Sequence, residues 1–123
     1  MGDKTILVTE DEAEIRELLS LLLESEGYKV YAASDGQEAL QLVQAHAKEI
    51  ELLITDLGLP KLGGIELIKK ARLIIPSLKV IAASGFGHIN VRSELRNVGV
   101  VEFFPKPFSP IELLEKAKTM LES

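Results

Sequence analysis

Cysteine, an excess of basic residues and a long apolar run are all absent from this chain of 123 residues. The lack of cysteine fits a reducing cytosol, although many secreted proteins also have none. With 19 acidic against 14 basic residues the formal charge is -5, and there is no basic tract, which argues against a nucleic-acid-binding surface. The apolar stretch from Leu18 to Leu23 is far shorter than a membrane span, and the polar start at residues 1–4 is not a secretory signal. We therefore expect a cytoplasmic protein that contacts neither nucleic acid nor the membrane directly.

The size and apolar content of the chain predict one domain. With 46% hydrophobic residues, 123 residues are enough for a single core and too few for two. No linker, internal repeat or low-complexity segment divides the sequence. We expect residues 1–123 to form one domain that carries no output domain of its own.

Hydrophobic periodicity predicts five strands that alternate with five helices. The strands are predicted at residues 5–9, 28–32, 52–55, 79–83 and 101–104. The first and fourth helices are expected to end at Gly27 and Gly99, and the third before Pro76. The second helix covers about residues 36–47 and the fourth about 88–98. Ser109 begins a capping box, with proline at the first helical position, that opens the fifth helix.

This alternation is typical of an α/β fold, a (βα)5 doubly wound, flavodoxin-like parallel sheet. Each strand is followed by a helix, and right-handed crossovers then place helices on both faces of the sheet. The expected strand order is 2-1-3-4-5, whose switch point lies beside the first and third strands. A ligand site is therefore expected outside the carboxyl ends of these two strands.

Acidic residues follow both of those strands. Glu10 and Asp11 come after the apolar run of the first strand, and Asp56 ends the run of the third. Because the carboxyl ends of parallel strands converge at one edge, we expect these three side chains to share a pocket. Carboxylates that close repel one another, so such a pocket is expected only where a cation, or a chemistry that consumes negative charge, compensates for the repulsion.

Across essentially its whole length the chain resembles the receiver domain of two-component response regulators. The motifs that carry the resemblance are weak singly but specific in this order and at these strand ends. They are the acids Glu10-Asp11, the segment Asp56-Leu57-Gly58-Leu59-Pro60, Gly64, Ser84-Gly85 after the fourth strand and Lys106-Pro107-Phe108 after the fifth. The segments at 56–60 and 83–86 are also similar to receivers fused to the C-terminus of hybrid histidine kinases, with a stand-alone regulator as the alternative.

The resemblance implies two-component signal transduction, with Asp56 as the acceptor of a phosphoryl group. The donor would be a histidine kinase or a histidine phosphotransfer domain, either separate or fused in the full-length chain. Such a receiver catalyses its own phosphorylation and dephosphorylation with Mg²⁺ or Mn²⁺, and the phosphoryl group switches its partner-binding surface. That surface is formed by the fourth helix, fifth strand and fifth helix, and it could also support a weak homodimer.

Roles for individual residues follow from the same resemblance. Lys106 would place a positive charge on the phosphoryl group, and Ser84 would donate its hydroxyl to another phosphoryl oxygen. Phe103, three residues before the lysine, matches the aromatic switch position and would respond together with Ser84. The metal would be held by groups that offer the oxygen ligands a hard cation prefers: Glu10, Asp11, Asp56 and the backbone carbonyl of Gly58.

Two positions depart from the family pattern. Glu10 stands where many members have aspartate, which lengthens that arm and suggests metal contact through water. Ser84 replaces the commoner threonine and loses the methyl group that restrains the rotamer. Neither change removes a group that the chemistry requires.

Two other classes of protein are alternatives from the residues alone. A nucleotide- or flavin-binding enzyme could use the same sheet. It would need a glycine- or hydroxyl-rich loop after the first strand, where the acids at 10–12 would instead repel phosphate. A pseudo-receiver that acts only as a protein-interaction module should have lost an acid, the phosphoacceptor or the lysine, and this chain has all of them.

Overall fold

The computed structural model describes residues 4–85, 91–100 and 102–122. The strands are β1 (Thr5–Thr9), β2 (Lys29–Ala33), β3 (Ile50–Asp56), β4 (Lys79–Ser84) and β5 (Glu102–Pro105). The helices are α1 (Ala13–Ser25), α2 (Gly36–Ala45), α3 (Gly64–Ile74), α4 (Val91–Asn97) and α5 (Pro110–Glu122). Strands and helices alternate along the chain as predicted. In these described ranges, no helix combines the length and the apolar character needed to cross a membrane.

The strands form one parallel sheet in the order β2-β1-β3-β4-β5, which confirms the predicted topology. β1 and β3 are neighbours at the centre, where the strand order reverses. In register, Val8 lies beside Ile54 and Thr9 beside Thr55. The residues that follow the two strands therefore leave the sheet side by side at one edge.

Each face of the sheet is covered by its own apolar layer, because successive side chains of a strand point to opposite faces. On one face Leu7, Leu53 and Ala82 pack against α2, α3 and α4. On the other, Ile6 and Val8 pack against α1 and α5. Because both faces are covered by apolar residues, polar side chains can cluster at the strand ends, outside the core.

Local signals fix the ends of three helices. Gly27 and Gly99 have positive φ values of 93° and 77°, a left-handed conformation that ends helices and favours glycine. The Ser109 hydroxyl accepts a 3.2 Å hydrogen bond from the amide of Glu112, as the N-cap of α5 should. The predicted ends of α1 and α4 and the predicted start of α5 are confirmed.

Other boundaries differ slightly from the prediction. β2 starts one residue later than predicted, and β3 starts two residues earlier. β3 starts earlier because Ile50 pairs with Thr5 across an irregularity in register. The polar Glu51 interrupts the apolar run, so the sequence pattern does not indicate this pairing. The predicted start of the fourth helix near residue 88, Phe86 and residue 101 lie outside the described residues.

Two buried threonines lie side by side in β1 and β3, just before the acids. The Thr55 hydroxyl donates to the carbonyl of Asp56 over 2.9 Å. The Thr9 hydroxyl has no hydrogen-bond partner in the part of the chain that the structure describes. Because a buried hydroxyl without a partner is destabilising, the pair offers a direct comparison of a satisfied and an unsatisfied group.

Candidate functional site

Three acids converge at the carboxyl edge of the sheet. Asp56 is the last residue of β3 and is buried, Glu10 directly follows β1 and is 3% exposed, and Asp11 beside it is exposed. One carboxylate oxygen from each lies within 4.8 Å of the others. The parallel register of β1 and β3 thus produces the shared pocket expected from the sequence.

Lys106 lies at the centre of this acidic pocket. Its backbone amide donates to the carbonyl of Ser84 over 2.8 Å, which ties the residue after β5 to the end of β4. Its ammonium nitrogen Nζ lies 2.8 Å from Glu10 Oε1, 3.2 Å from Asp56 Oδ2 and 3.7 Å from Glu12 Oε2. One cation therefore pairs with three carboxylates, and the shortest contact is to Glu10.

Glu10 links the lysine to the start of α1. Its second oxygen, Oε2, accepts a hydrogen bond from the amide of Glu12 over 3.1 Å. Its backbone carbonyl accepts a 2.8 Å hydrogen bond from the guanidinium of Arg16. Both side-chain oxygens of Glu10 thus have partners within the protein, and the first turn of α1 is held against the pocket.

The pKa shifts follow from burial and pairing. Burial raises the pKa of the Glu10 carboxyl, and hydrogen bonds from Lys106 and from the amide of Glu12 offset this only in part. Burial lowers the pKa of the Lys106 ammonium, but the hydrogen bond to Glu10 and the charge of Asp56 outweigh it, so its net shift is upward. Lys106 is therefore charged at neutral pH, and the acids around it still outnumber it.

The pocket opens into a cavity of about 250 Å³ at the sheet edge. Ser84, the last residue of β4, is buried at its wall. Gly58 and Gly85 are exposed and carry no side chains, which leaves the mouth of the cavity open to a reacting group. The lining residues come from four strand ends: Asp11, Glu12, Asp56, Gly58, Ser84, Gly85 and Lys106.

The donor set fits a hard divalent cation. The carboxylates of Glu10, Asp11 and Asp56 are close enough to share one ion, and Gly58 lines the same cavity. Mg²⁺ and Mn²⁺ both prefer oxygen ligands. Since a single lysine does not balance the acids, an added cation also relieves their repulsion. The residues predicted from the sequence as metal ligands are thus compatible with that role.

Phe103 lies outside the acidic cavity. It pairs in register with Ala82, two residues before Ser84, so Phe103 and Ser84 share one face of the sheet. The ring is half-buried against the apolar layer and lies under the guanidinium of Arg92 from α4, 5.1 Å from the ring centroid. The structure therefore gathers the predicted acids, Ser84 and Lys106 in one place and sets the predicted switch aromatic apart from them.

The pairing of Lys106 with Glu10 and Glu12 was not predicted from the sequence. Lys106 was assigned to the phosphoryl group alone, yet its ammonium already lies 2.8 Å and 3.7 Å from these two carboxylates. The sequence feature that indicates this pairing is the run of acids after β1 together with the lysine that directly follows β5. Acids outnumber cations at this edge, so they must share the lysine.

The start of α2 holds the loop after β3, which the sequence did not indicate. The amide of Gly36 donates to the carbonyl of Pro60 over 3.4 Å, and Lys61 Nζ lies 3.6 Å from Asp35 Oδ2. A Cβ atom on Gly36 would lie 1.9 Å from the carbonyl oxygen of Leu62, so glycine is required for this approach. The sequence feature that could have indicated this close approach is the glycine directly after Asp35, the N-cap of α2.

Comparison with known proteins gives consistent matches. The family model for the response regulator receiver domain matches residues 6–118. Sporulation initiation phosphotransferase F of Bacillus subtilis is 31% identical over 121 residues, which cover 98% of this chain and 96% of that protein. Sensor kinase CckA of Brucella abortus is 33% identical over 98% of this chain but only 13% of the kinase. The crystal structure of a response regulator receiver domain protein from Methanospirillum hungatei JF-1 matches with a TM-score of 0.91 and 31% identity, covering 98% of this chain and 95% of that one. Several other curated relatives are about twice as long as the part that matches.

Proposed function

Because this chain belongs to the response regulator receiver domain family, we propose that it is a phosphoacceptor switch of two-component signal transduction, phosphorylated on Asp56. One observation carries the proposal. Asp56, two further acids and Lys106 meet at an open cavity at the end of the central strands. Asp56 is the acid that ends a buried strand and faces both the lysine and the other acids.

The proposed reaction is attack by a carboxylate oxygen of Asp56 on the phosphorus of a phosphohistidine. The new O–P bond forms as the P–N bond breaks, and the imidazole nitrogen keeps the electron pair and takes a proton from water. Positioning and electrostatic stabilisation supply most of the catalysis in such transfers. Attack by water on the acyl phosphate later restores the aspartate, so the domain catalyses both its phosphorylation and its dephosphorylation.

The side chains around Asp56 would offset the charge of the phosphoryl oxygens. Lys106, whose Nζ lies 3.2 Å from Asp56 Oδ2, would act as a point charge. Ser84 would donate its hydroxyl to another phosphoryl oxygen. A bound Mg²⁺ or Mn²⁺ ion supplies further positive charge to these oxygens. The groups that would hold it are Glu10, Asp11, Asp56 and the carbonyl of Gly58.

We propose a histidine kinase or a histidine phosphotransfer domain as the donor. The support is that one relative is named as a phosphotransferase and another as a sensor kinase. Because the chain matches nearly all of the first and 13% of the second, the kinase would be either a separate protein or part of the same full-length chain. The reaction would take place in the cytoplasm, with residues 1–123 acting as one receiver domain.

Intact mass spectrometry with a small phosphodonor tests the proposal. Acetyl phosphate and Mg²⁺ should add a phosphoryl group to the parent protein, and a chelator should prevent the addition. Asp56→Asn should abolish it, whereas Asp35→Asn, which removes an acid at the start of α2, should not. Modification of Asp56→Asn at the parental rate would refute the assignment. A parent that is never modified would instead identify a pseudo-receiver that acts only as an interaction module.

Phosphorylation would reach the partner-binding surface through Ser84 and Phe103. Movement of the Ser84 hydroxyl toward the phosphoryl group would let Phe103 turn inward, which changes the surface formed by α4, β5 and α5. Beryllofluoride, a stable substitute for the phosphoryl group, allows a test by amide NMR. Shifts should spread from Asp56 to Phe103 and α4, and Ser84→Ala should confine them to the pocket. Shifts that stay in the pocket of the parent would mean that signalling uses another face.

A further inference from the structure

The guanidinium of Arg92 lies over the ring of Phe103, with its central carbon 5.1 Å from the ring centroid. Arg92 is in the first turn of α4, and Phe103 is the second residue of β5. A guanidinium within about 6 Å of an aromatic centroid is attracted by the negative face of the ring. The contact therefore joins α4 to β5 through the residue assigned to the switch.

The residues of β4 that share a sheet face with Phe103 have small side chains. In register its neighbour in β4 is Ala82, whose side chain is small, and Ser84 lies further along the same face toward the acidic cavity. The ring also lines a cavity of about 150 Å³ beside α4, together with Arg92 and Arg96. A ring that turns toward Ser84 must leave the guanidinium of Arg92.

We propose that Arg92 is a positioning residue that holds Phe103 in the arrangement of the unphosphorylated protein and so sets how readily the switch operates. The inference rests on the proposed phosphorylation of Asp56 and adds a regulatory residue that the acidic pocket does not contain. Arg92 acts through Phe103 and has no role in the transfer of the phosphoryl group itself.

A small bias is sufficient for this role. The two ring positions of a switch must be close in free energy, so a weak contact in one of them changes their populations measurably. A cation–π contact at a partly exposed site changes such an equilibrium about two- to five-fold. Loss of the cation should therefore raise the population of the inward ring position by about this factor when that position is the minor one.

Three substitutions separate the cation–π contact from general packing. Arg92→Met keeps an unbranched side chain of similar length and removes the cation. Arg92→Lys keeps a cation but loses the flat guanidinium that stacks on a ring. Arg96→Met is the matched control, because Arg96 lies one turn further along α4 and lines the same cavity. Thermal unfolding should show that all three variants remain folded.

The first measurement uses the protein without any phosphoryl substitute. Ring carbon resonances of Phe103, assigned with Phe103→Leu, report the ring environment by NMR. Arg92→Met should shift these resonances toward the position that they reach with beryllofluoride, Arg92→Lys should shift them less, and Arg96→Met should leave them unchanged. Identical ring resonances in Arg92→Met and the parent would overturn the proposal.

The second measurement is the apparent affinity for beryllofluoride with Mg²⁺, followed by amide shifts near Asp56. Arg92→Met should bind about two to five times more tightly than the parent, because more of the protein is already in the favoured arrangement. Equal affinities would overturn the coupling while leaving the site at Asp56 intact. A parent that binds no beryllofluoride would refute the proposed function, and with it the regulatory role of Arg92, whatever the ring resonances show.

Discussion

Replacing Asp56 by asparagine should stabilise the metal-free protein, because it removes a charge from a pocket in which acids outnumber the one lysine. Asparagine has nearly the same shape and keeps the Oδ1 acceptor that the amide of Gly58 reaches over 3.3 Å. The substitution therefore removes one charge from the pocket, together with the Oδ2 acceptor that Lys106 Nζ reaches over 3.2 Å. It also removes one of the proposed metal ligands, so the effect should depend on Mg²⁺.

Coulomb's law gives the size of this effect. Carboxylate oxygens of Asp56, Glu10 and Asp11 lie within 4.8 Å of one another. At that separation and an effective dielectric constant of about 20, each repulsion is worth about 3.5 kcal/mol. The attraction between Asp56 and Lys106 over 3.2 Å is worth about 5 kcal/mol on the same scale. The two repulsions felt by Asp56 exceed this attraction by about 2 kcal/mol. Because water screens the exposed Asp11, this difference is the upper end of the net gain.

Thermal unfolding followed by circular dichroism measures this gain. In chelator, Asp56→Asn should melt above the parent, by up to about 8 °C. Glu17→Gln is the control, since it removes the same charge from an exposed site on α1. Mg²⁺ at ten times its Kd should stabilise the parent by about 1.4 kcal/mol and the variant by less. If Asp56→Asn melts no higher than Glu17→Gln in chelator, the repulsive pocket does not exist as described.

Three further predictions concern stability. Thr9→Val should raise the free energy of unfolding by about 1 kcal/mol, because it removes a buried hydroxyl without a partner in the described residues. Thr55→Val should lower the free energy of unfolding by about 1 kcal/mol, because a hydrogen bond is lost. A urea titration that ranks the two variants the other way would contradict this. Gly99→Ala should lower the free energy of unfolding by about 1–3 kcal/mol, since φ is +77° and the new Cβ would lie 2.7 Å from a guanidinium nitrogen. In the same titration Gly63→Ala, whose Cβ would meet nothing within 4 Å, should lower it by less than about 1 kcal/mol. Hydrogen bonds from a lysine and from a histidine ring lower the pKa of Glu49 from 4.5 to about 2, so its contribution to stability is present above pH 4.5 and is lost as the pH falls toward 2. Glu49→Gln should therefore be less stable than the parent at neutral pH, and the difference should close over that acidic range; a constant difference would refute the linkage.

The fold could be predicted from the sequence because its signals are local and repeat along the chain. β1 was predicted at its observed bounds, since a short apolar run rich in β-branched residues between polar residues is typical of a buried strand. The doubly wound parallel sheet followed from the alternation of strands and helices and from the handedness of crossovers, and the predicted strand order was one of the common orders of such sheets. The start of β3 was missed because it depends on pairing across the sheet, which a pattern along one strand does not contain.

The candidate site was predictable only as far as strand ends determine it. The convergence of Glu10, Asp11 and Asp56 follows from topology, and the structure brings them together. The distances from Lys106 to its partners depend on side-chain length and burial, and these are set by packing. The contact between Arg92 and Phe103 likewise depends on how α4 lies on β5, and no local pattern specifies that.

The contact between Gly36 and the loop after β3 makes two separate stretches of sequence a single unit for protein engineering. The backbone of Leu62 occupies the place where a side chain at position 36 would stand. A receiver with a side chain at position 36 could not accept residues 57–63 of this chain without pushing the backbone at Leu62 outward. The same clash would follow if the helix start of this chain were exchanged for one without glycine at position 36. A graft of the loop after β3 should therefore include the start of α2, although that helix contributes no side chain to the acidic pocket.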